Sequence, residues 1–139
     1  MSGAFGGATL VMFDGSQPTN GNTALSTAAP PTWGGGANTT NILAVFTLPA
    51  AGANSVTNNV ITFGTITSVA NAYRSGTATW FRVLNGATVS GSGNQISVAG
   101  NVICDGSVGT SAADLILNSV AISSGAAVTI TGFTFTVTE

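Results

Sequence analysis

The chain has 139 residues, of which 4% are charged: two Arg, four acids and no His, for a net charge of −2. An ordinary soluble domain carries about 25% charged residues, and two Arg without any Lys exclude the clustered cations by which proteins hold nucleic-acid phosphates. Positive mean hydropathy with so small a net charge excludes the composition of a disordered chain.

The length suits one domain with a real core. Its surface must be built from Thr, Ser, Asn, Gly and some apolar side chains, which repel one another weakly and suit a protein packed against neighbours. The longest apolar run, Ile42 to Phe46, is far short of the roughly 18 residues of a membrane helix. The opening MSGAFGGATL has neither a basic region nor a sustained apolar one, so no secretory signal is read there. The lone Cys104 rules out an internal disulfide framework.

Residues 1–8 are small and glycine-rich and read as a flexible arm carrying Phe5. A first strand is expected over Thr9 to Phe13. Residues 14–40 concentrate turn formers, including Pro18, Pro30-Pro31 and Gly34 to Gly36, and read as a long loop. Trp33 within it either plugs the loop onto its own domain or anchors a neighbouring subunit, since Trp is enriched at interface hot spots.

Asn41 to Leu48 places Ile42, Ala44, Phe46 and Leu48 on one face and is ended by Pro49. Val56 to Thr67 reads as a strand bent at Gly64. Ser68 to Gly76 lapses into an exposed connection with Tyr73 and Arg74. Thr77 to Leu84, TATWFRVL, then puts Ala78, Trp80, Arg82 and Leu84 on one face and Thr77, Thr79, Phe81 and Val83 on the other. Both faces of this strand are expected to be engaged.

Asn85-Gly86 suits a type I′ turn, Gly91 to Asn94 a second hairpin and Gly100-Asn101 a third turn. Val102 to Cys104 reads as a short strand ended by Asp105-Gly106, Ser107 to Ala113 as a polar loop and Asp114 to Leu117 as a strand. Ala121 to Gly125 turns the chain again. In the last segment the apolar phase is even at Val128 and Ile130 but odd at Phe133, Phe135 and Val137, which predicts a β-bulge at Gly132. No helical periodicity persists, so the sequence predicts an all-β domain over residues 9–139: an antiparallel, jelly-roll-like β-sandwich of about eight short strands.

The reactive chemistry is sparse. General acid–base work most often uses His, which is absent. Cys104 lies in an apolar run, where a buried thiol is the common state. Asp14, Asp105 and Asp114 lack the spacing of a calcium loop and read as turn residues. Arg82 on a covered face must be paired, with Asp105 or Asp114 as the nearest acids; Asp114 alternatively caps the loop before its strand. The glycine-rich stretches lack the Lys and helix of a phosphate loop. Phe46, Phe63, Trp80, Phe81, Phe133 and Phe135 alternate within strands and read as core, not as a sugar-stacking platform. No catalytic residue, cofactor or metal is assigned.

The segments LVMFDGSQP (10–18), NILAVFTL (41–48), NVITFGTIT (59–67), GTATWFRVL (76–84), DGSVGTSAADLILN (105–118) and FTFTV (133–137) together resemble small structural proteins encoded among the head genes of tailed bacteriophages. GTATWFRVL followed by DGSVGTSAADL is the most specific pair. The chain departs from that pattern between Leu84 and Val102, where a Gly/Ser/Asn insertion replaces a short hairpin, and in the loop around Trp33.

The resemblance implies a virion protein made in the host cytoplasm, a decoration or cement protein on the mature head. Its implied partners are the major capsid protein and its own copies in a homotrimer, with no nucleic acid or membrane. Candidates for capsid or subunit contact are then Phe5, Trp33, Tyr73 and Arg74, with Arg82, Asp105 and Asp114 as a structural clamp. A tail- or fibre-associated sandwich and a carbohydrate-binding module are the alternative readings.

Overall fold

A two-stranded ribbon runs through the middle of the molecule, formed by Trp80–Ser92 and Gln95–Gly109. The computed structural model describes residues 5–17, 42–68, 71–92 and 95–136. In chain order the strands are β1 (Thr9–Phe13), β2 (Ile42–Thr47), β3 (Ser55–Thr57), β4 (Val60–Thr62), β5 (Gly76–Thr77), β6 (Trp80–Ser92), β7 (Gln95–Gly109), β8 (Leu115–Leu117), β9 (Ala121–Ile122) and β10 (Ile130–Thr136). A short 3-10 turn at Ala51–Ala53 lies between β2 and β3. The all-β expectation holds.

Eight strands form one sheet in the order β2-β1-β6-β7-β8-β10-β4-β3, and β5 pairs with β9 in a second, two-stranded sheet. Every pair is antiparallel except β7 with β8. Eight of the ten described strands thus share one mixed sheet, where purely antiparallel pairing was expected. The parallel step is short, joining Val108 and Gly109 to Leu115 and Ile116. A parallel pair ordinarily needs a long crossover. Here the chain steps back within residues 110–114, using a positive φ of 50° at Ala112.

The sheet rolls over its own core. Phe81 on β6 and Phe133 on β10 meet edge to face at 5.2 Å, yet they lie three strands apart, about 14 Å in a flat sheet. The contact belongs to a row of rings: Phe133 stacks on Phe63 at 4.4 Å, Phe63 meets Phe5 at 5.4 Å, and Phe5 meets Phe135 at 5.5 Å. Leu10, Met12, Ala44, Phe46, Leu48, Ile61, Val83, Leu115 and Leu117 fill the space around them.

The opposite face of β1, β2 and β6 carries a second, smaller cluster of Val11, Phe13, Ile42, Trp80 and Leu84. Both faces are thus engaged from Trp80 to Leu84, but TATWFRVL is not one strand: Thr77 ends β5, β6 begins only at Trp80, Thr77 and Thr79 are exposed, and Ala78 packs in the main core with Phe81 and Val83, not with Trp80. Ile42 was expected with Ala44 and Phe46. A register shift between Met12 and Phe13 inserts Leu43 as an extra residue, and a one-residue slip turns Ile42 to the other face.

The turns expected at Asn85-Gly86, Gly100-Asn101 and Asp105-Gly106 are not reversals, because all six residues lie inside β6 or β7. Asn85 pairs with Asn101 and Thr88 with Ala99, so β6 carries one extra residue, and Gly86 at φ +61° is the left-handed position such a bulge requires. The ribbon reverses only between Ser92 and Gln95, inside the expected second hairpin. The segment from Leu84 to Val102, where the chain departs from the resemblance, is the distal half of this ribbon.

Residues 56–67 are likewise not one strand. β3 and β4 form a hairpin closed by Asn58-Asn59, both at positive φ (50° and 63°), the geometry of a type I′ turn. The bulge expected at Gly132 is present, as a register shift between Ile130 and Gly132.

Candidate functional site

Each arginine of the chain holds an aspartate. Arg82 is fully buried, on the β6 face that carries Trp80 and Leu84, and its cross-strand partner on β7 is Asp105. Its Nε and Nη2 donate to the two carboxylate oxygens of Asp105, the two-pronged geometry that suits a guanidinium best. The guanidinium carbon lies 5.4 Å from the centre of the Trp80 ring. That ring in turn stacks on Phe13 at 4.0 Å and 11°.

Arg74 Nη2 lies 3.2 Å from Asp14 Oδ2, with both side chains mostly covered. The pair ties the end of β1 to the segment that enters β5. The third aspartate, Asp114, accepts from the Ser107 backbone N–H and hydroxyl, both at 2.8 Å, and its own N–H donates to Ser107 Oγ at 3.2 Å. Of the two roles open to Asp114 it takes the cap, which clips the loop between the parallel strands. Arg82 pairs with Asp105.

The contact candidates fare differently. Phe5 is a correction: its ring is fully buried among Phe63 and Phe135, and Leu48 N–H donates to Ala8 O at 2.8 Å, so residues 5–8 are docked and not a free arm. Burial of an aromatic ring outweighs the small, glycine-rich character of the residues around it. Tyr73 and Arg74 are half-buried, not on an open connection. The Tyr73 N–H donates to Leu43 O at 2.8 Å, Ala72 N–H donates to Ala126 O at 2.8 Å, and the Tyr73 ring packs on the cluster around Trp80. Trp33, and the loop from residue 18 onward, lie outside the described residues.

Trp80 and Phe133 are 3% and 6% exposed, so neither forms part of a surface platform for sugars. Cys104 packs against the main core; burial first, then the charges of Asp105 and Asp114, push its thiol up to about 12. A thiol so raised is a poor nucleophile at neutral pH. Among the described residues no three His, Cys, Asp or Glu side chains converge on a point that could hold a metal ion, and no helix is long and apolar enough to cross a membrane.

Among the described residues, two open features flank the segment that follows β4. Where β2 comes round to face the segment that follows β4, a slit of about 380 Å³ remains between Val45–Pro49 and Thr65–Ser68. On the other side of that segment a hollow of about 470 Å³ lies between Phe63–Ile66 and Ile130–Phe133. Neither is lined by an ionisable side chain. What they offer is backbone amides, hydroxyls and apolar surface, chemistry for seating another chain. The sequence reading missed these features because it took β3 and β4 as one strand; the consecutive asparagines, which tolerate the left-handed region, were the available signal. No protein-family model, no curated protein and no solved structure matches this chain.

Proposed function

We propose that the chain is a structural protein of a tailed-phage virion, a decoration protein that binds the outside of the mature head and bridges neighbouring capsomers. The observation that carries this reading is the disposition of charge. Both arginines are engaged with aspartates within the fold, so apart from the exposed Asp114 and the partly covered Arg74–Asp14 pair the described surface is mainly hydroxyl, amide and small apolar groups. Such a surface binds with little dependence on salt. The reading is also supported by where the most specific resembling residues fall: GTATWFRVL and DGSVGTSAADL supply β5, β6, β7 and β8, the Arg82–Asp105 pair and the Ser107–Asp114 clip.

The role is non-catalytic. Binding to the expanded, closed shell but not to a loosened one stabilises the shell by linkage, and repetition at many sites multiplies a modest contact. The test is co-sedimentation of the purified protein with expanded heads at low and high salt, together with its copy number per virion. Saturable, salt-insensitive binding and a copy number near that of the major capsid protein are expected. A few copies per particle, located on the tail, would replace this reading with the tail-associated one.

A further inference from the structure

Two margins of the sheet have no neighbouring strand among the described residues, and they differ in shape. β2 is recessed along the slit. Leu48 N–H donates inward to Ala8 O, so by the two-residue alternation of a strand the peptide groups of Val45 and Thr47 face the slit. Farther along the same edge, Leu43 O is already taken by Tyr73. β3, at the other end of the sheet, projects instead. Its two-residue loop makes Thr57 and Val60 the closing hydrogen-bonded pair, which turns the peptide groups of Val56 outward.

All three residues of β3 are exposed, and Val56, at 52%, is the large apolar side chain that the described surface leaves in water. Sheet edges are ordinarily guarded by Lys, Pro or inward-pointing charge, or by keeping the edge strand very short, as β3 is at three residues. Neither Ile42–Thr47 nor Ser55–Thr57 holds a Lys, a Pro or a charge.

We infer that these two edges are made for each other: β3 of one copy of this chain adds as a strand to β2 of a second copy, in the slit between Val45–Pro49 and Thr65–Ser68, with Val56 as the apolar anchor. The occupant follows from the chemistry of the slit. An uncharged, hydroxyl-lined channel beside open peptide groups fits an uncharged Ser-Val-Thr strand, and copies of a chain with so few charges repel one another weakly. The contact is head to tail, because each copy that donates β3 keeps its own β2 edge open. Such contacts close into a ring or run on as a filament. The inference concerns the purified chain and does not rest on the decoration reading; self-association without head binding would sink that reading and leave this one standing.

The test uses the full-length protein in sedimentation velocity over a hundredfold concentration range. The wild type is expected to associate reversibly, and Val56→Lys, at an exposed site, to weaken association at least tenfold while leaving the thermal melt of the dilute, dissociated protein unchanged. A wild type that stays monomeric throughout, or a Val56→Lys variant that associates as the wild type does, overturns the inference. Orientation is read by cross-linking in a Cys104→Ala background. Mixing Val56→Cys copies with Thr47→Cys copies is expected to give disulfide-linked dimers that neither variant gives alone; dimers from Val56→Cys alone mean that like edges pair, and overturn it.

Discussion

Phe81 and Gly106 stand opposite each other on β6 and β7, and the Phe81 ring lies so close over the glycine that a Cβ there would sit 2.5 Å from Cε1 and 3.0 Å from Asp114 Oδ2. The glycine is the space into which the ring folds before it meets Phe133. Gly106→Ala must push the ring off Phe133 or strain β7, and overpacking of this kind costs about 1–3 kcal/mol. The check is a double-mutant cycle in urea: Phe81→Leu, whose side chain lacks the ring edge, should recover part of the Gly106→Ala loss. Strict additivity would mean that the two positions do not share this space.

The Arg82–Asp105 pair predicts an asymmetry between single and double replacement. Removing one partner leaves a charge buried or nearly so, and Arg82→Met or Asp105→Ala should each lose about 3–5 kcal/mol of stability. Replacing both with apolar residues of similar bulk, Arg82→Met with Asp105→Leu, should restore much of the loss, since a desolvated ion pair contributes little net stability over a well-packed apolar pair. Denaturant midpoints of the three variants measure this. A double variant no more stable than the worse single one would mean that the pair also specifies the register of β6 against β7.

Phe5 gives a prediction opposite to the one its sequence surroundings suggest. A flexible arm is dispensable for folding, but a ring fully buried against Phe63 and Phe135 is not. Phe5→Ala should cost about 3–5 kcal/mol, and deletion of residues 1–8 at least as much. If thermal melting showed the truncated chain as stable as the intact one, residues 5–8 would be a docked accessory to the core and no part of it.

What the sequence made legible was governed by side-chain alternation. The two-faced strand at Trp80 to Leu84, the bulge before Gly132 and the need of Arg82 for an acid all follow from which residues share a face, and all are present. What it concealed was governed by pairing. Asn85-Gly86 and Asp105-Gly106 have the composition of turns, yet each lies within a continuous strand because the partner strand supplies hydrogen bonds along its whole length and a bulge absorbs the odd residue. Asn58-Asn59, which carries no glycine, is the real reversal. The slit was beyond reach for the same reason: it exists only because a sheet of eight strands rolls until β2 faces the residues after β4, and local composition does not encode that closure.

Cys104 supplies a pH dependence whose sign is fixed by its environment. Burial and the nearby carboxylates of Asp105 and Asp114 raise the thiol from 9.0 to about 12, so between those values the unfolded chain gives up a proton that the folded chain keeps. Stability from this group is therefore fully present below pH 9 and is lost as pH rises from 9 toward 12. The wild type should lose stability over that interval more steeply than Cys104→Ala, whose other titrating groups are the same. Reactivity follows the same logic: a thiol raised so far above its ordinary value holds very little thiolate at pH 8, so alkylation by iodoacetamide should be slow in buffer and fast in denaturant. Rapid native-state alkylation at pH 8, together with parallel pH–stability curves for the two proteins, would show that the thiol is neither shielded nor raised.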